Sequence, residues 1–199
     1  MTIIDSNFAI IVTVVMVIVA VLLIVLWYSE RRDKVKYQEN MVTGILKHWN
    51  GRIPVSPVAI ADKLTIGDYP IRVKSIVDSK ISSKAYFRSE TSEFICEYNY
   101  DDTGFRQRFA QAHAIGHIVL GHVTTESEAK QDTGFPKDTT NLDEITANHF
   151  ALQLLMPEEH MRNAARIYQD VDVLAQVFDV STVCVVERLK QLDLLPQNV

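Results

Sequence analysis

His113 and His117 stand four residues apart in the segment Arg106-Gln-Arg-Phe-Ala-Gln-Ala-His113-Ala-Ile-Gly-His117. On a helix this spacing puts both imidazoles on one face, about 5–6 Å apart at Cβ, where they can share a metal ion. Imidazole suits zinc, and a catalytic zinc takes three protein ligands while keeping a fourth position open for water. A third ligand is on offer in Asn141-Leu-Asp143-Glu144-Ile-Thr-Ala-Asn148, where a second helix opens with two carboxylates. Thr140-x-x-Asp143 has capping-box spacing, which engages Asp143 at the helix start and favours Glu144 as the ligand. His113, His117 and Glu144 are thus candidate ligands for Zn2+, although two histidines at this spacing, taken alone, are more often exposed or satisfied within a core.

Three further histidines compete for roles. His122 follows His117 by five residues, past Gly121, and misses the spacing of a third metzincin histidine, so it reads as a loop residue or one that supports a ligand. His149 and His160 flank the second helix and can orient a substrate or an oxyanion, although isolated histidines at such places are usually structural.

These side chains need a scaffold. Helical periodicity runs from about 103 to 120, ended by Gly121, and from about 142 to 156, ended by Pro157. The polar stretch from His122 to Thr140, with Gly134 and Pro136, reads as a loop between them and a candidate lid. Between Tyr69 and Tyr100, β-rich runs separated by Ser, Asp and Thr clusters predict a small antiparallel sheet of about three strands. Earlier, Ser56 is a fitting N-cap, with Pro57 at the first position of a short helix. At the C-terminal end, helices over about 171–178 and 181–192 have helix-turn-helix texture, which raises DNA binding as a rival. Against that rival, only Arg188 and Lys190 supply positive charge there, and the net charge of the chain is -5. Direct nucleic-acid binding is not expected.

From Phe8 to Tyr28 the chain is almost continuously apolar, Thr13 being the clear interruption, with Trp27 and Tyr28 as an interfacial pair. A signal peptide would have a basic start, a shorter apolar core and a small-residue cleavage site, so an uncleaved transmembrane helix is expected. No Lys or Arg precedes it, whereas Arg31, Arg32, Lys34 and Lys36 follow at once. The positive-inside bias therefore puts the rest of the chain in the cytoplasm, with the N-terminus outside the cytoplasmic membrane. The run has no Gly and only Ala9 and Ala20 as small residues, so it reads as an anchor rather than an assembly motif. The expected organisation is a tail over 1–7, a span over 8–28, a stalk over 29–40 and one domain over 41–199. Two cysteines, Cys96 and Cys184, far apart, suit buried thiols in a reducing compartment.

The histidine segment through His122, followed by Asp143-Glu-Ile-Thr-Ala-Asn-His-Phe-Ala-Leu-Gln-Leu-Leu-Met-Pro157, resembles the ImmA/IrrE family of metallopeptidases. Pro54-Val-Ser-Pro57 with Ala59-Ile-Ala resembles the family's early helix. Leu174-Ala-x-x-Phe178-x-Val180-Ser181 with Arg188-Leu189 resembles its C-terminal helices, so the likeness runs from about 42 to 195 and excludes the span. It implies a compact α+β zincin-like domain, with His113, His117 and Glu144 as zinc ligands and with Asn148 and Phe150 in the pattern around the glutamate. It also implies limited proteolysis of a cytosolic regulatory protein, such as a DNA-binding repressor or an antitoxin-like partner.

One position departs from the pattern. The family writes His-Glu-x-x-His, and here Ala114 stands where the glutamate would be. A methyl group takes no proton from water and returns none to a leaving amine, so hydrolysis is expected to be impaired while the ligands stay intact. Either a glutamate was replaced, which the complete ligand set favours, or the protein is a natural pseudopeptidase that holds a partner at the membrane without cutting it.

Overall fold

A computed structural model describes residues 3–78, 80–134 and 140–195. Pro136 lies outside the described residues, as do the side chains of Phe8, Ala9, Arg31 and Lys34. The chain divides into two units, Met1–Tyr37 and Gln38–Val199.

The first unit is helical. Helix α1 (Ile3–Leu46) starts within the stretch expected to be a tail and continues through the expected stalk without a break. Its segment Ile11–Glu30 is 20 residues long and apolar enough to cross a bilayer, a property shared with signal sequences. At 1.5 Å per residue it spans about 30 Å, the thickness of a hydrocarbon core. Apolar side chains point outward all round, from Ile11 to Tyr28.

The second unit is α+β. Its core takes in Val42 and Ile45 from the last turns of α1. Ser56 caps helix α2 (Pro57–Ala61) by accepting from the Ala59 amide, as its sequence predicts. Strands β1 (Thr65–Ile66), β2 (Tyr69–Ile76), β3 (Ser83–Arg88) and β4 (Glu93–Asn99) follow, then helix α3 (Gly104–Val119) and strand β5 (Lys130–Asp132). Helices α4 (Leu142–Leu155), α5 (Glu158–Ile167), α6 (Val171–Phe178) and α7 (Thr182–Gln191) complete the unit.

The sheet has the order β1-β2-β4-β3-β5 and is mixed rather than antiparallel throughout, because β2 runs parallel to β4. β4 is the central strand, and Phe94, Ile95 and Cys96 are buried in succession, the pattern of a strand covered on both faces. Phe87 pairs with Phe94 in register across β3 and β4, their rings 5.0 Å apart, and Tyr69 closes the aromatic cluster. Helix α3 lies on this sheet at β3 and β4, and α4 packs on α3.

Two elements depart from the sequence reading. The stretch from His122 to Thr140 contains β5, a polar three-residue strand held as an edge by β3. Pro157 does more than end α4: it is the N-cap of the amphipathic α5, in keeping with proline's tolerance at helix starts.

Candidate metal centre

The site is made where α3 meets α4. Helix α3 is buried without interruption from Phe109 to Val119, so both of its histidines point into protein: His113 is 1% exposed and His117 2%. The helix is held at its start by Gln107, whose side-chain amide donates to the Tyr100 and Asp102 carbonyls. The next residue, Arg108, donates to the Val55 and Asp179 carbonyls, tying α3 to the segment before α2 and to the turn before α7. Gly116 sits on the face toward α4. A Cβ there would lie 2.9 Å from Cδ1 of the buried Phe150 ring and 3.3 Å from the Ala147 carbonyl, so only glycine admits this approach. That approach brings Glu144, in the first turn of α4, over the two imidazoles.

The resulting distances are short. Nε2 of His117 lies 3.0 Å from Nε2 of His113. The Glu144 carboxylate completes a triangle, with Oε2 3.4 Å from His113 Nε2 and Oε1 3.4 Å from His117 Nε2. All three donors fall within 4.8 Å of one another. Ligands bound tetrahedrally at zinc's usual 2.0–2.1 Å sit about 3.3 Å apart, so these residues fit a zinc-sized dication. The chemistry of the donor set agrees: two imidazoles and one carboxylate leave room for a fourth ligand.

Electrostatics favour the ligating protonation states. Burial pushes the His117 imidazole below its usual value, against the pull of Glu144, and leaves it neutral with a lone pair to give. For Glu144, partial burial acts to raise the carboxyl pKa. Hydrogen bonds from His113 and His117 outweigh it and hold the group well below the usual carboxylate range.

Around this triangle lies a second set of contacts. His122 Nδ1 is 3.1 Å from His117 Nδ1, and its Nε2 is 3.3 Å from Thr146 Oγ1 and 3.8 Å from Asp143 Oδ1. Asp143 is fixed in turn by Lys130 of β5, whose Nζ donates to Oδ2 at 2.9 Å. Burial drives the His122 imidazole down to about 4. Asp143 is therefore not the capping group its spacing suggested: Asn141 is the N-cap and accepts from the Asp143 amide, leaving the Asp143 carboxylate to Lys130 and His122. His113 has no equivalent support. Its ring stacks on Phe109 at 6.1 Å, while its Nδ1 is buried without a partner among the described residues, as is Oδ1 of Asn148.

The remaining sequence candidates fall into place. Ala114 is 1% exposed and belongs to the apolar core. His160 packs edge-on against Trp49, 4.9 Å between ring centres, a structural role. His149 lies on α4 and is partly buried. In the helical pair α6–α7, Arg188 is 4% exposed and donates to the Met156 carbonyl, so it braces the core rather than facing outward, and Lys190 pairs with Glu187. Both cysteines are free and buried. Sequence reasoning passed over Gly116 and Lys130. A glycine in mid-helix costs about 1 kcal/mol against alanine, which is itself a signal of close packing; Lys130 gave none, because its partner lies across a loop.

The sequence model of the IrrE N-terminal-like domain, a peptidase family, matches residues 68–190, which is more than half of the chain. The chain belongs to this family. A metallopeptidase-type hydrolase domain is thereby indicated for the second unit, with α3 and α4 inside the matched region. Among curated proteins no match is found. Among solved structures, one described as a Mycobacterium tuberculosis transcriptional regulator is similar at a TM-score of 0.51 and 16% identity, over 80% of this chain and 46% of that one. This chain thus spans less than half of that protein's length, and the likeness is one of fold.

Proposed function

We propose that this chain is a membrane-anchored zinc metallopeptidase of the IrrE-like family whose hydrolytic step is impaired by Ala114. The observation that carries the reading is the convergence of His113, His117 and Glu144 within 4.8 Å at the contact of α3 with α4. A bound zinc ion would supply a Lewis acid that polarises a peptide carbonyl and acidifies water. The two imidazoles would hold it through Nε2 and the carboxylate would balance part of its charge. At position 114 nothing accepts a proton from the attacking water or hands one to the leaving amine, and such a loss costs on the order of 10²- to 10⁴-fold in rate.

The apolar segment Ile11–Glu30 is taken as the anchor, and the basic residues that follow it support an orientation with the domain in the cytoplasm. The substrate class is a cytosolic regulatory protein, repressor or antitoxin-like, cut at limited positions. Support for it is the family match together with the likeness to a protein described as a transcriptional regulator.

A second reading is favoured by one observation: Ala114 is 1% exposed and belongs to the apolar core, as suits a chain that binds a partner protein without cutting it. The two readings part on one assay. The full chain in detergent and its Ala114→Glu variant are each mixed with candidate repressor and antitoxin-like proteins, with and without a chelator. Chelator-sensitive cleavage by the glutamate form alone supports the peptidase. Zinc-dependent capture with no cleavage by either form supports the binder.

A further inference from the structure

We propose that His122 is a positioning residue for the metal: it accepts the Nδ1 proton of His117 and so fixes that ligand's tautomer and ring orientation. The inference rests on the zinc reading above and adds a role for a residue outside the ligand triangle.

A neutral imidazole carries one N–H, and a nitrogen that ligates a metal carries none. Nε2 of both His113 and His117 faces the Glu144 carboxylate and the other imidazole, so each ring must carry its proton on Nδ1 to ligate. An Nδ1–H buried in protein needs an acceptor. For His117 the atom at hand is His122 Nδ1, 3.1 Å away. Accepting there leaves the His122 proton on Nε2, which faces Thr146 Oγ1 at 3.3 Å and Asp143 Oδ1 at 3.8 Å, both acceptors. Thr146 passes its own hydroxyl proton to the Leu142 carbonyl at 2.8 Å, and Lys130 holds Asp143 in place at 2.9 Å. Once His117 Nε2 is given to the metal, this assignment of protons satisfies every member of the chain of contacts, with His122 as the acceptor that holds it. These contacts also tie the ligand to β5 and to the first turn of α4, whereas His113, whose Nδ1 has no partner among the described residues, is oriented by packing on Phe109.

Partners of this kind typically change metal affinity 10- to 100-fold when removed. The test uses the full chain in detergent with zinc alone, in competition with a chromophoric chelator. It compares His122→Ala with His122→Asn, whose Oδ1 can stand where Nδ1 stood. Cobalt(II) spectra and the melting temperature of the metal-free chains are recorded alongside. The expected result is a zinc Kd raised 10- to 100-fold in His122→Ala with an altered cobalt spectrum, and recovery to within a few-fold in His122→Asn. Equal zinc affinity in the unsubstituted chain and both variants overturns the role of His122 and leaves the zinc reading standing. A loss shared equally by the two variants, in step with lower metal-free melting temperatures, marks His122 as merely structural and also overturns it. An unsubstituted chain that binds no zinc overturns the zinc reading and this inference together.

Discussion

The first unit and the α3–α4 contact break the same rule in opposite directions. In Ile11–Glu30 large apolar side chains stand exposed, from Ile11 to Tyr28, while in α3 two imidazoles are buried to 1% and 2%. Water alone justifies neither arrangement, since apolar area is normally hidden and buried polar groups are normally paired. In the reading proposed above, each departure is met by a partner outside the polypeptide, lipid in one case and a metal ion in the other. The apolar run needs only length and hydropathy, properties of any single stretch. The imidazoles need a third residue 27 positions further on and a glycine that lets the second helix close.

Predictions can break this contrast on either side. The largest effect is expected in the first unit: Val21→Arg, near the middle of the apolar segment, costs about 2.5–3.5 kcal/mol for a helix centred in a bilayer. Fractionation should show the chain leaving the membrane fraction; an unchanged distribution removes the case for a span. In the second unit, Gly116→Ala forces Phe150 and the Ala147 carbonyl back from α3, an overpacking worth about 1–3 kcal/mol. Denaturant unfolding should report that loss, with weaker zinc binding beside it, because Glu144 moves with α4. The smallest effect on folding is expected for His113→Leu, which removes a buried imidazole whose Nδ1 is unpaired among the described residues but whose Nε2 faces the Glu144 carboxylate. The gain from losing one unpaired polar atom and the cost of leaving Glu144 with one partner fewer are each about 1 kcal/mol and oppose each other. The melting temperature of the metal-free chain should therefore move by no more than roughly 2–4 °C while zinc binding is lost. A larger drop would mean that His113 is a structural core residue irrespective of a metal.

How much was legible in the sequence follows the same division. Local signals read well: the His113/His117 spacing, Ser56 as a cap, the turn before Ser181 and the apolar run all depend on neighbours within a few positions. The gathering of Glu144 with the histidines was legible through the family resemblance, whereas the capping spacing that set Asp143 aside was misleading: both carboxylates lie in the first turn, and Asp143 turns to Lys130 and His122 instead. Sheet topology was not legible. β2 and β4 pair in parallel with β3 lying between them in sequence, and nothing in either strand's own residues states which neighbour it will take. β5 has only Lys130, Gln131 and Asp132 and no apolar alternation, so it passes for loop until β3 supplies its hydrogen bonds. The contacts of His122 and Lys130 were illegible for the same reason: they join residues across a connection whose path the sequence does not give.

Everything proposed for the second unit requires that His113, His117 and Glu144 together hold one metal ion. The most direct measurement is elemental zinc content of the purified full chain in detergent, beside His117→Ala and Glu144→Ala, after removal of loosely bound metal. The account predicts about one zinc per chain, falling to near zero in each variant while the fold persists by circular dichroism. Zinc absent from the unsubstituted chain, or retained in full by both variants, would contradict it.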